Sequence, residues 1–416
     1  MNWQTRKLGE LCDIQLGKTP ARSTASYWDE GRTTSNVWLS IADLLDAEDG
    51  FIFDSKEYLS DKGAELCKLV KKGTLLVSFK LTLGRLAFAG RDLYTNEAIA
   101  ALTILDEAKL SRNYLLYFLH FFDWVKAAQN DVKLKGMTLN KAKLKVIPVS
   151  FPPLEEQKRL VAILDEAFAG IETATTNTEK NLANARELFD SYLNTTFLNY
   201  RKLYSEMTLE EVCLKTTKGS SPKWQGISYV EKPGVLFVTS ENVGHYKMIF
   251  KKIKYVEEDF NKKDSKSILK NGDVLTNIVG ASIGRTAVFD RDELANINQA
   301  VCLLRCNPDL LNNHYLCYLL NSPFFRRLLH ENEVDNARAN LSLTFFRFLK
   351  IPLPPIHDQS LLVESIGSLA DEIYRLEDIY TQKLTALAEL KHSLLQKAFS
   401  GELTAEAEKE VEEAAA

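Results

Sequence analysis

Pro153-Leu154-Glu155-Glu156-Gln157-Lys158-Arg159-Leu160 and, 202 positions later, Pro355-Ile356-His357-Asp358-Gln359-Ser360-Leu361-Leu362 open two stretches written to one pattern. The match runs on through Ile171, Leu182, Glu187, Leu188, Ser191, Leu193 and Phe197 against Ile373, Leu384, Glu389, Leu390, Ser393, Leu395 and Phe399. Both stretches place apolar residues at three- and four-residue intervals, the signature of a helix with one apolar face. In the second, Ile366, Leu369, Ile373, Leu376, Tyr380, Leu387, Leu390 and Leu394 form a heptad stripe that Lys383 interrupts and Leu384 covers. In the first, Leu160, Leu164, Ala167, Ile171, Leu182, Leu188, Phe189 and Leu193 run similarly, and the threonine-rich middle, residues 173–178, is expected to bend. About 45 residues at ~1.5 Å each would span roughly 68 Å.

The same repeat extends towards the N-terminus of each stretch. Leu8-Gly9-Glu10-Leu11-Cys12 corresponds to Leu209-Glu210-Glu211-Val212-Cys213, and Gly17-Lys18-Thr19-Pro20 to Gly219-Ser220-Ser221-Pro222. Gly73, Gly84 and Arg85 correspond to Gly272, Gly284 and Arg285, and Asn96-Glu97-Ala98-Ile99 to Asn298-Gln299-Ala300-Val301. A period this long means a duplicated domain rather than a solenoid. Within each copy, residues 37–41, 74–79, 235–239 and 273–278 read as strands, and residues 114–122 and 315–320 as helices. Prolines close each domain, because proline continues neither a ladder nor a helix interior.

The expected architecture is therefore mixed α/β: domains at 1–152 and 201–355, each followed by a long helix, at 153–200 and 356–403. Packing the two apolar stripes together as an antiparallel coiled coil gives a pseudo-two-fold arrangement. Residues 404–416 form an acidic tail.

Net charge is −4 over 416 residues, but it is unevenly placed. The two domains carry about +3 and +5, whereas the first helical segment carries −4 and residues 356–416 carry −8. Basic domains on acidic supports suit a polyanion. Six cysteines at irregular spacing suit reduced thiols. No apolar run is long enough to span a membrane, and Met1–Glu10 lacks a signal-peptide core, so a cytoplasmic location without membrane attachment is expected.

Catalytic motifs fail on inspection. Leu16-Gly17-Lys18-Thr19 resembles the end of a phosphate loop, but Cys12 stands where the first glycine belongs. Asn307-Pro308-Asp309-Leu310 reads as a turn. Glu389 and Lys391, two apart on a helix, do not converge on a metal. Cys302, Cys306, His314 and Cys317 offer four ligand types, yet their counterparts Ala100, Ile104, Asn113 and Leu116 are mostly apolar, so the group reads as core and no metal site is expected.

The polar residues that recur in both copies sit in loops. Lys18, Thr19 and Arg22 correspond to Lys218, Ser220, Ser221 and Lys223; hydroxyls, amides and cations at a turn suit phosphate oxygens, as they suit any polar turn. Ser40 and Asp43 face Ser240, Glu241 and Asn242 in the alignment, and Lys80 and Thr82 face Asn277 and Ser282. Arg85 and Arg285 read either as groove contacts or as braces of the fold. Base-reading residues are expected where the copies diverge, as at Lys80/Asn277 and Asp43/Asn242.

Residues 152–165, from Pro152-Pro153-Leu154-Glu155-Glu156-Gln157 to Asp165, resemble the start of the central helix of type I restriction-modification specificity subunits. Residues 390–403, from Leu390-Lys391-His392-Ser393 to Leu403, are similar to that family's C-terminal signature. The resemblance implies two target-recognition domains, each reading one half of a bipartite site in double-stranded DNA, with the helices as a ruler. It implies no catalysis and no cofactor in this chain. Two methyltransferase subunits would bring S-adenosylmethionine, and two restriction subunits would bring ATP and Mg. Glu155, Glu156, Lys158, Arg159, Glu372 and Arg375 would form the docking surface. The alternative is a coiled-coil scaffold or adaptor that never reads DNA.

Overall fold

The structure, a computed structural model, describes residues 3–128, 132–133, 136–232, 234–333 and 339–403. The acidic tail lies outside them. Two compact units are present: Met1–Asn177 with Lys383–Ala416, and Thr178–Gln382. Each long helix, Leu154–Leu203 and Ile356–Ser400, is thus shared between both units rather than forming a body of its own.

In the first unit, five strands form the main sheet in the order Cys12–Leu16, Ile99–Ile104, Leu75–Ser78, Leu86–Ala89, Phe51–Ile52. The pairs are antiparallel except the last. Leu75–Ser78 and Leu86–Ala89 are buried at every position because both sheet faces are covered. Alternation then divides the residues between two cores. Leu75, Val77, Phe88 and Leu102 face the helix Arg112–Phe121. Leu76, Ala87, Ala89 and Ala101 face Val37 and Leu39. Those two belong to a small sheet, Glu57–Tyr58, Val37–Leu39, Tyr94–Thr95, whose last pair is parallel. The strand Gln4–Lys7 pairs with Pro148–Phe151 and so ties the start of the domain to its end.

The second unit repeats this plan. Its main sheet runs Cys213–Lys218, Val301–Cys306, Val274–Asn277, Thr286–Val288. Its second sheet again ends on a parallel pair, Val235–Val238 with Ala295–Ile297. Glu206–Thr208 pairs with Lys350–Pro352 as the closing strand.

In each unit the two long-helix segments run antiparallel. In the first, Leu160, Val161 and Leu164 share a core with Leu395 and Ala398, and the Phe399 ring packs on Tyr114, Phe118 and Phe121. In the second, Ala185, Phe189, Leu193 and Phe197 meet Leu362, Ile366, Ala370 and Ile373. There Tyr192 bonds Ser365 at 3.2 Å and Arg186 Nε donates to Glu377 at 2.6 Å, so the partners recede as the chain advances.

The threonine-rich middle belongs to a helix that is continuous from Leu154 to Leu203. Thr173 and Thr175 return their hydroxyls to the carbonyls of Ala169 and Ile171 at 2.9 and 2.8 Å. The apolar stripe holds over most of both helices: Leu160, Leu164, Phe189, Leu193, Ile366 and Ile373 are buried, and Leu384 is half-buried beside the exposed Lys383. It departs at Leu188, Leu376 and Leu390, which are exposed, while Ala185 and Ala370 are buried and Glu377 is half-buried.

Candidate nucleic-acid interface

Three loops converge at one end of the first unit. Gly17 N–H donates to Ile99 O and Lys18 N–H to Thr95 O, which lays the Gly17–Arg22 loop across the turn after Tyr94–Thr95. A Cβ on Gly17 would stand 2.2 Å from the carbonyl oxygens of Thr95 and Asn96, so only glycine permits this approach. Lys18 is exposed, and the Thr19 hydroxyl donates to Glu97. Arg22 lies 4.1 Å from the Trp28 ring centroid and 4.8 Å from that of Trp38, and it pairs with Glu57. The hairpin Lys80–Arg85 stands beside this loop. Its Thr82 is exposed, Lys80 half-exposed, and Arg85 Nη1 donates to Ile41 O at 3.0 Å. Gly84 has φ +75° and abuts Trp124.

The second unit builds a similar end. A Cβ on Gly219 would stand 1.8 Å from Ile297 O. Ser220 donates to Asp264 and accepts from Gln225, both at 2.5 Å, while Lys218 and Ser221 are half-buried and Lys223 is exposed. Gly284 has φ +83°, Ser282 is half-buried and Arg285 is exposed.

Of the four divergent positions singled out from the sequence, Lys80 is half-exposed, and Asp43, Asn242 and Asn277 are buried. Asp43 is buried and accepts the Ser40 N–H and hydroxyl, each at 2.6 Å. Asn242 does the same for Thr239, at 2.9 and 3.1 Å, and donates to Ile249 O and Lys252 O. The true counterpart of Ser40 is thus Thr239, and Ser240 only supplies its carbonyl to Asn277. Asn277 itself is fully buried and donates to Ser240 O at 3.0 Å. These side chains shape the loops rather than presenting themselves to a ligand.

Other residues at this end fell outside the candidate set. Trp224 is 82% exposed, directly after Lys223. Lys251, Lys252 and Lys254 form an exposed basic run. Glu97 and Gln299 are exposed at matching turns. The repeat itself already marked that last pair, as aligned residues of unlike chemistry.

On the helices, Glu155 pairs with Lys158 and Glu372 with Arg375, at 2.9 and 2.8 Å, all four exposed. Glu156 and Arg159 are half-buried. Cys302 and Cys317 lie in the apolar core, and Cys306 stands opposite Cys213 in the strand register. Among the described residues no group of three or more His, Cys, Asp or Glu is placed to hold a metal, and no helix is long and apolar enough to cross a membrane.

A model of the type I restriction modification DNA specificity domain matches residues 1–183 and again 202–386. The chain belongs to this family. The doubled match to the specificity domain coincides with the doubled fold. The chain is 23% identical over 403 residues to the type I restriction enzyme MjaVIII specificity subunit of Methanocaldococcus jannaschii, covering 92% of this chain and 90% of that one. It is 22% identical over 415 residues to the EcoBI specificity subunit of Escherichia coli, covering 89% and 87%. A chain from a structural study of complex assembly and conformational transition in a type I R-M system superposes with a TM-score of 0.73 at 18% identity, over 96% of this chain and 98% of that one. The HsdS subunit of Thermoanaerobacter tengcongensis gives 0.57 at 18% identity, over 96% and 97%. Both share the fold of this specificity-family chain.

Proposed function

We propose that this chain is the non-catalytic reader of a two-part DNA sequence for a type I restriction-modification complex. The carrying observation is the doubled loop end, with the same glycine-held turn beside the same Gly-Arg hairpin in each unit. One such end per half-site accounts for a duplicated domain on one chain. Lys18, Arg85, Lys223 and Arg285 supply the phosphate contacts that set position, and exposed side chains of the turns supply base contacts. The polar helix faces around Glu155–Lys158 and Glu372–Arg375 dock two methyltransferase subunits, which bring S-adenosylmethionine. Two restriction subunits bring ATP and Mg. The cytoplasm, where the DNA and these partners are, is the working location. Titrating fluorescent DNA with the lone chain and with the chain plus methyltransferase tests this. Tight, sequence-specific binding is expected only for the assembly, and methyl transfer only with the partner. A chain that binds no DNA in either state would instead be a scaffold.

A further inference from the structure

Glu97 and Gln299 occupy one geometry with two chemistries. In the first unit the Asn96 side-chain oxygen accepts the Ala98 N–H at 3.0 Å, and in the second Asn298 accepts the Ala300 N–H at 3.0 Å. Each turn is thus fixed by its own asparagine, and each is pinned from below by a glycine, Gly17 or Gly219. The residue between, Glu97 or Gln299, is exposed. Burial acts to raise the Glu97 carboxyl, but the Thr19 hydroxyl, its own backbone N–H and the nearby charges of Lys80 and Arg22 outweigh it and hold the group below the usual carboxylate range. A charged carboxylate therefore stands among the cations offered to phosphate. On a DNA-facing surface that costs affinity unless the ligand donates a hydrogen bond to it. Cytosine N4–H₂ is such a donor in the major groove, and a carboxylate accepts from it. An amide, with one acceptor and one donor group, instead matches adenine N6 and N7.

We propose that Glu97 and Gln299 are equivalent base-reading side chains, Glu97 selecting cytosine and Gln299 selecting adenine at one position of their respective half-sites. This rests on the DNA-reading function proposed above. It differs from a bracing role because Glu97 is exposed in a turn whose shape its neighbours Asn96 and Gly17 already fix.

The test is selection from randomised duplex DNA by the full chain assembled with its methyltransferase, for wild type, Glu97→Gln and Gln299→Glu. Glu97→Gln should move one position of one half-site from cytosine to adenine by about tenfold, the scale of one base-edge contact. Gln299→Glu should make the reverse change in the other half-site. The untouched half-site reports in each case that the assembly is intact. Tighter binding to all sequences alike after Glu97→Gln would mean that Glu97 is only a repelling charge, and an unchanged preference would mean it touches no base; either overturns the proposal. A wild-type assembly with no sequence preference would overturn the DNA-reading function itself.

Discussion

The Gln157 side-chain carbonyl accepts the backbone N–H of Ser111 at 2.8 Å, and its amide donates to the carbonyls of Lys109 and Pro152 at 2.7 and 2.8 Å. Gln359 repeats this with Asn312, Leu310 and Pro354, at 2.8 Å each. Both glutamines are fully buried. Each clamps the start of a long helix onto the loop that caps its domain's own helix, where Tyr114 and Tyr315 also bond the closing strands Pro148–Phe151 and Lys350–Pro352. Replacing Gln157 with Leu strands three backbone groups out of water. We expect a loss of about 2–4 kcal/mol in urea unfolding, and a similar loss for Gln359→Leu. A neutral result would show that the clamp does not hold the helix.

Gly17→Ala places a methyl within 2.2 Å of two carbonyl oxygens. The loop carrying Lys18 and Thr19 must then lift from the turn that holds Glu97. The expected outcome is loss of preference in the half-site read by the first unit, with the second unit's half-site retained. Selection from randomised DNA would reveal it, with circular dichroism confirming the fold.

Both long helices cross from one unit to the other, at Asn177/Thr178 and Gln382/Lys383. Inserting four helix-forming residues at both crossings adds ~6 Å, about two base-pair rises of ~3.4 Å. The preferred spacer should lengthen by one or two base pairs while both half-sites stay as they were. Half-site spacing in the selected sequences is the readout, and an unchanged spacer would exclude a helical ruler.

The pairs Glu155–Lys158 and Glu372–Arg375 are exposed, and such pairs contribute ~0–1 kcal/mol to folding. Reversing all charges of one pair should leave the melting temperature within a degree or two, because nothing in the core depends on them. If these faces dock partners, light scattering should show the reversed chain saturating with one methyltransferase subunit where the unaltered chain takes two.

Much of this molecule was legible in the sequence, because a duplicated chain prints its elements twice. The strands at 75–78 and 274–277, the helices after Ser111 and Asn312, and the long helices all fell where apolar period and proline placed them. The helix seam was not legible in detail. Its middle uses Ala185, Ala370 and a half-buried Glu377 that pairs with Arg186, and a polar seam looks in sequence like a solvated face. Asp43 and Asn242 misled for a related reason. They differ between copies yet perform one task, since both present an oxygen to the backbone and hydroxyl three residues earlier. Divergence marks a reader only where the side chain is also exposed, and exposure is what the sequence lacks.

The most direct test of two independent readers on one chain is an exchange of residues 1–150 for those of another family member. The chimaera is assembled with its methyltransferase and its target determined from randomised DNA. The account predicts a bipartite target in which one half-site is replaced, while the other half-site and the spacer between them are kept. A target in which both half-sites change together, or in which neither does, would contradict it.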